Sequence, residues 1–327
     1  MRSGVRFSVV APGYEAIHAR SGQTGITFGF GAMIEFVNFY LIPGITLGSI
    51  YALGAVGISM IFGILRFAHF AHGDLMTTGA YIALSAVWVL GISPLAAIPV
   101  AMILSAVVAL VLDRVFYKPL RELPTIYTVI ASFGVALILR SLIQVLWGTE
   151  SQVYSSGFQK PLIFFDSIRI AARHIQIIVV TVVVTVILHF FLKHSKLGRS
   201  MRAVADDPAL ARVAGINTEQ VIRFTWICGA CLAALAGVFV GLDTDVHSNL
   251  GWNMLLPMFA AALLGGIGKP MGAIVGGLII GIVEESVSYP FFGVSVLSPS
   301  YKSAVAFIIM LLLLIFRPQG LFKGRLL

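Results

Sequence analysis

Four clusters in this chain combine residue types and spacings that could do chemistry. In Arg66-Phe-Ala-His69-Phe-Ala-His72-Gly73-Asp74, two imidazoles three apart precede a carboxylate, the donor types of a transition-metal site. Without further ligands this set stays short of a closed metal site. Cys228-Gly-Ala-Cys231 has the spacing of a redox dithiol. It lies inside an apolar stretch with no strand nearby, where cysteines serve packing. Gly265-Gly266-Ile267-Gly268-Lys269-Pro270 has the lysine-after-glycine of a phosphate loop. Leu263 stands where that loop needs its first glycine, and Pro270 where a hydroxyl must hold magnesium. Glu284-Glu285 puts two carboxylates at the end of an apolar run, where they are either solvated at the outer surface or, for Glu284 above all, held inside as an intramembrane polar group. No catalytic residue, metal site or cofactor site follows from these clusters. The chemistry they offer is polar contact along an apolar path.

The elements that must position these residues are membrane helices. Of the 327 residues 58% are hydrophobic and 11% charged, and the mean hydropathy is +0.97. A soluble domain of this length has no core large enough for so much apolar surface. The expected fold is an all-α polytopic membrane protein with roughly eight membrane segments, including broken or re-entrant helices. The 33 glycines suit close packing of helices in lipid. The net charge of +8 does not indicate nucleic acid, because the cations sit in short loops beside apolar spans, where they set orientation and meet anionic lipid.

Residues 1–32 carry Arg2, Arg6, Glu15, His18 and Arg20 and contain neither a spanning run nor the sustained apolar core of a signal peptide. They read as an N-terminal extension, with residues 33–327 as one transmembrane domain. Spans are expected at Pro43–Ile64, Leu75–Leu90, Pro94–Leu112, Thr125–Trp147, Ile175–Leu192 and Phe224–Leu242. Gly44 and Gly48 give the first a small-residue face. Between the first two, Gly73 is expected to break the chain and Asp74 to cap the second helix. Ser132 beside Gly134 could open a polar notch in the fourth span. Met254–Val283 is interrupted at Gly265–Pro270 and reads as two short helices meeting at a glycine turn at depth, where broken backbone must face protein or a cavity. A last span centres on Ala304–Phe316. Basic loops at 113–122, 193–223 and 317–325 place those three segments in the cytoplasm, which leaves the N-terminus outside with arginines that fit the charge rule badly.

Lys193 to Arg223 is the longest polar passage. Asp206-Asp207-Pro208 signals a helix start, an acidic cap before a proline whose missing donor costs nothing in the first turn. Gly215 supplies the left-handed residue that ends a helix. A two-turn helix over Pro208–Ala214 follows, with Asn217 or Thr218 capping the next span. Held outside the membrane, such a helix is a handle for a partner.

Four phrases, in order, resemble the branched-chain amino acid (Liv-type) permeases of ABC importers. They are YALGAVGISMIFGILRFAHFAHGDLMTTGAY around Asp74, GRSMRAVADDPALARVAGI in the polar loop, GGIGKPMGAIVGG at the hairpin, and FRPQGLF at the C-terminal end. Ile130-Ala-Ser-Phe-Gly134 is similar to a further recurring phrase. His69, Lys269 and Ser303 depart from the pattern, which commonly has Asn, a small hydroxyl residue and an acid at those places. The resemblance implies a transmembrane permease subunit in the bacterial inner membrane with no enzyme activity of its own. It implies a paralogous permease, two ATP-binding subunits that carry the ATP and magnesium, and an external substrate-binding protein that does most of the selecting among Leu, Ile and Val. Arg202, Asp206, Asp207, Pro208, Ala209, Arg212 and Gly215 would then couple to the ATPase. His72, Gly73, Asp74, Ser132, Gly134, Gly265, Gly266 and Glu284 would line the path. Similar permeases move urea, short amides and other amino acids, and an ion-coupled carrier would also use broken helices. A membrane enzyme would want a cluster like His69, His72 and Asp74 at one depth.

Overall fold

The computed structural model describes residue 31 and residues 33–154, 162–164, 168–291, 294–295, 301–317 and 319–322. The expectations for residues 1–30 and 32 and for 318 and 323–325 lie outside them. Eleven α-helices are described, and six helical stretches are long and apolar enough to cross a membrane.

The central helix, α1 (Ile42–Leu65), follows a π-helical turn at Val37–Leu41 and has Pro43 in its first turn, where no amide donor is needed. It is buried almost all round, because five glycines let neighbours approach its backbone. A Cβ on Gly48 would stand 2.9 Å from the Leu278 Cα, and one on Gly281 would stand 2.2 Å from the Gly48 nitrogen. Gly44 and Gly48 thus do form a close helix contact, with α10 (Pro270–Ser286) as the partner.

Next come α2 (His72–Leu90), α3 (Pro94–Leu112) and α4 (Thr125–Trp147). Ser93 caps α3 by accepting from the Ala96 amide at 3.3 Å. Helical backbone continues past Leu112 as a π-helical turn, Asp113–Tyr117, and a 3₁₀ turn, Lys118–Leu120, where a loop was expected. A short hairpin, β1 (Leu162–Phe164) with β2 (Ile168–Ile170), precedes α5 (Ala172–His194), an outer helix that buries only Ile177 and Thr181. After the polar passage, α8 (Thr218–Asp243) returns through the core, followed by α9 (Leu250–Gly265), α10, the small hairpin β3 (Pro290–Phe291) and β4 (Val294–Ser295), and α11 (Lys302–Phe316).

The polar passage itself holds two helices. The first, α6 (Lys196–Asp206), was not expected; Gly198, Met201 and Val204, three apart, form its buried face. Only glycine fits at 198, since a Cβ there would stand 2.3 Å from the Leu192 carbonyl oxygen. Arg199 donates to the His194 carbonyl at 3.0 Å and Arg202 to the Leu192 carbonyl, so two guanidinium groups satisfy acceptors that the end of α5 leaves open. The second, α7 (Pro208–Val213), is the expected short helix.

The three basic segments meet at one end of the bundle. Glu219 at the start of α8 pairs with Arg121 at 2.7 Å and Lys118 at 3.1 Å, and the Gly320 backbone lies against Gly266.

Candidate translocation path and docking helix

The chain between α1 and α2 breaks at residues 66–71. Arg66 ends α1 with φ at 58°, in the left-handed region, and its amide still donates to the Phe62 carbonyl at 2.9 Å. This corrects the expectation of a break at Gly73: α2 begins at His72, and Gly73 and Asp74 lie in its first turn. Gly73 is needed for a different reason, since a Cβ there would stand 2.4 Å from the Gly251 carbonyl oxygen. The starts of α2 and α9 therefore touch backbone to backbone. Thr77 Oγ1 accepts from the Gly251 amide at 2.9 Å, satisfying a donor that the start of α9 would otherwise bury unpaired.

Asp74 does not act as a side-chain cap either. It is 1% exposed, and its carboxylate accepts from Arg140 Nε at 3.1 Å and Nη2 at 3.2 Å. This bidentate pair matches the planar guanidinium to both carboxylate oxygens. Arg140 also lies over the Trp252 ring at 4.8 Å, close enough for a cation–π contact. Sequence reasoning passed over Arg140, although a lone arginine in the apolar run Thr125–Trp147 is the kind of intramembrane charge that demands a partner.

His72 is fully buried, and its ring occupies the space that a side chain on Gly57 would take. His69 and Tyr117 hydrogen-bond at 2.9 Å, and Tyr117 stacks on Trp226, so the imidazole joins an aromatic cluster. Ser132 closes the break from the α4 side: its hydroxyl accepts from the Phe70 amide at 3.2 Å and donates to the Val129 carbonyl at 2.7 Å. Gly134, two residues on, faces outward with open space beside it.

Glu284 is 6% exposed on α10 and accepts from the Tyr51 hydroxyl at 3.0 Å. Both line a cavity of about 740 Å³ between α1, α9, α10 and α11, together with Trp252, Lys302 and Phe307. Lys302 pairs with Glu285 at 2.6 Å. Trp252 is thus shared by the two expected sites: it lies under Arg140 of the Asp74 pair and lines the Glu284 cavity.

Gly265 and Gly266 lie elsewhere. At Gly265 the space for a side chain is taken by Gly272, 2.1 Å from an added Cβ. Gly266 has φ at 93° and ends α9, and the Gly320 backbone packs on it. The turn is closed by protein groups: the Gly268 amide donates to Ser59 at 3.1 Å and the Leu321 amide to the Leu264 carbonyl at 2.8 Å. Each half of the hairpin is also longer than expected, with 16 residues in α9 and 17 in α10.

In the polar passage one Asp207 oxygen accepts from the Ala209 amide at 2.9 Å and the Leu210 amide at 3.0 Å. Gly215 has φ at 81°, and the Ile216 amide returns to the Ala211 carbonyl at 3.0 Å, a Schellman-type ending. Asn217 then caps α8, accepting from the Gln220 amide at 3.1 Å. On α7, Ala209 and Arg212 face out, Leu210 is 66% exposed and Val213 86% exposed. Asp206 and Arg202 belong to α6, immediately before it.

A multi-pass helical bundle with a broken helix, a buried ion pair, a largely apolar cleft that holds Glu284 and Lys302, and a capped helix held out at its basic end has the architecture of a membrane transport subunit. The family described as "Branched-chain amino acid transport system / permease component" matches residues 40–314, and the chain belongs to it. It is 33% identical over 294 residues to the high-affinity branched-chain amino acid transport system permease protein BraD of Pseudomonas aeruginosa, covering 86% of this chain and 94% of that one. It is also 33% identical to LivH of Escherichia coli strain K12, covering 88% and 96%. The probable permease LivH of Methanocaldococcus jannaschii is 28% identical, over 84% and 88%. Among solved structures, PsaBC from Streptococcus pneumoniae in complex with Fab superposes with a TM-score of 0.50 over 88% of this chain and 95% of that one. At 14% identity this likeness concerns the fold alone.

Proposed function

We propose that this chain is the membrane-spanning permease subunit of an ABC importer that moves branched-chain amino acids into the cell, and that it catalyses no reaction itself. ATP and magnesium act on two partner ATPases, a second permease completes the pore, and an external binding protein delivers the amino acid. The observation that carries the coupling part is α7: a six-residue helix, capped at both ends, presents Leu210 and Val213 to solvent at the basic end of the bundle. Apolar side chains exposed on a short rigid helix in a polar segment mark a docking surface. Asp207, Pro208 and Gly215 shape this helix, Ala209 and Arg212 lie on its outer face, and Arg202 and Asp206 carry the load from α6 into it.

The path is assigned to His72, Gly73, Asp74, Ser132 and Glu284. Support comes from the Asp74–Arg140 pair and the Glu284–Tyr51 cavity, which share Trp252 and offer both signs of charge to a zwitterion. The packing around Gly265 and Gly266 supports a mechanical role for them as the turn of a rigid hairpin, and Gly134 belongs to the outward face of α4.

The test uses vesicles containing the assembled transporter. Leucine uptake is expected to stop without ATP hydrolysis, to persist when the proton gradient is collapsed, and to exceed uptake of urea or acetamide. Replacing Ala209 by Glu should leave insertion intact while ATP hydrolysis no longer drives uptake. Normal uptake by that variant would remove α7 as the docking element.

A further inference from the structure

A second cavity, of about 530 Å³, lies at the basic end of the bundle and has no part in the path described above. Its volume is that of a small-molecule site. Three cations from three separate elements reach it: Lys193 at the end of α5, Arg202 on α6 and Lys269 in the turn between α9 and α10. Asp206 is the one carboxylate on the same lining. Among the described residues, neither the Lys193 nor the Lys269 ammonium group has a hydrogen bond or ion pair to the protein. Arg202 spends a single donor on the Leu192 carbonyl and keeps the rest of its fork. Much of the remaining lining is apolar and includes Met60, Met201 and Met271. At Leu192–Lys193 the apolar run of α5 gives way to basic residues, which is the level of lipid headgroups.

We propose that this cavity binds a phosphate-bearing anion, supplied by an anionic lipid of the inner leaflet whose headgroup meets Lys193, Arg202 and Lys269. The placement rests on reading the basic end as cytoplasmic. Basic pockets between membrane helices on that side suit such headgroups, and the lining methionines offer an acyl chain apolar contact that free phosphate does not need. A headgroup held there would tie α6 to the α9–α10 turn. Because only Asp207 separates α6 from α7, it would also brace the docking helix. Lys269 is also one of the places where the chain departs from the Liv-type pattern it resembles, which commonly has a small hydroxyl residue there.

The experiment is a native mass-spectrometric titration of the assembled transporter, with the full chain, against phosphatidylglycerol, phosphatidylcholine and inorganic phosphate. The expected result is retention of phosphatidylglycerol over phosphatidylcholine, weakened about 30-fold in Lys193→Gln/Lys269→Ser, as the loss of two basic side chains beside an anionic headgroup implies. Binding of inorganic phosphate with the same dependence on Lys193 and Lys269 would support the anion site and assign it a soluble source. Equal retention of phosphatidylglycerol by wild type and variant, or none by either, would overturn the proposal. Should the double variant not fold, Lys269→Ser alone, which restores the residue usual in Liv-type permeases, carries the same comparison. Leucine uptake in phosphatidylcholine vesicles reports on the permease reading independently of this site.

Discussion

At the scale of single residues, the buried pair Asp74–Arg140 carries most of the risk. Removing one member of a buried ion pair strands the other, a loss of about 3–5 kcal/mol, whereas replacing both with neutral groups of similar size is far cheaper. Arg140→Gln alone is therefore expected to lower the thermal unfolding midpoint of the detergent-solubilised chain sharply. Asp74→Asn together with Arg140→Gln should recover most of that stability while impairing uptake. A double variant no more stable than Arg140→Gln would mean that the two side chains do not depend on each other. The pair also shows where a sequence stops being readable. The local signal around Asp74, an acid one residue after a glycine, fits a cap, and the guanidinium that takes the carboxylate instead stands 66 residues along the chain. Distance in the chain hides such a partner, but the cost of an uncompensated arginine in lipid is visible in Thr125–Trp147 and calls for one.

Among elements, the spans were legible because apolar length alone marks them: α3 and α4 have the expected ends, and α1, α2 and α5 differ by a few residues. What escaped was α6, since Lys196, Arg199 and Arg202 read as loop charge while its buried face is only Gly198, Met201 and Val204. Charged side chains that cap the carbonyls of the preceding helix look, in a sequence, like solvent-facing ones. The glycines divide in a way only the neighbours reveal. At Gly281 any side chain would run into the Gly48 backbone, so Gly281→Val is expected to destabilise by at least the roughly 1–3 kcal/mol typical of overpacking. At Gly134 nothing lies within 4 Å, so Gly134→Ala should be neutral or add about 0.5–1 kcal/mol from the better helix former. Unfolding of the two variants side by side checks both signs. For α7, Asp207→Ala removes the acceptor for two amides and should cost about 1 kcal/mol, which on the proposed docking role is seen as weaker retention of the ATPase during purification rather than as altered substrate preference.

For the whole molecule, the proposed coupling through α7 requires that a push on that helix reach the core. Glu219 opens α8, three residues beyond Ile216, and is held by Lys118, Arg121 and Arg223, while Arg121 also grips the buried Asp113 at 2.5 Å. The pairs at Glu219 are partly exposed, so each contributes only about 0–1 kcal/mol to stability. Glu219→Gln is expected to leave the unfolding midpoint nearly unchanged and to lower the amount of leucine moved per ATP hydrolysed. Unchanged stoichiometry would place the transmission elsewhere. The α1–α10 seam sets what kind of motion that push can produce. With the backbones of Gly48 and Gly281 in contact, sliding α10 by one turn, about 5.4 Å, would bring Glu285 to the notch that Gly281 now fills, or in the other direction Ala273 to the place of Gly277, where a Cβ would stand 2.4 Å from the Ala52 nitrogen. Axial slip is therefore locked, as a key is by its wards, and the two helices can only turn together. The gate this subunit contributes should accordingly swing on a single stiff spar, so the moving parts to look for are the joints at its two ends.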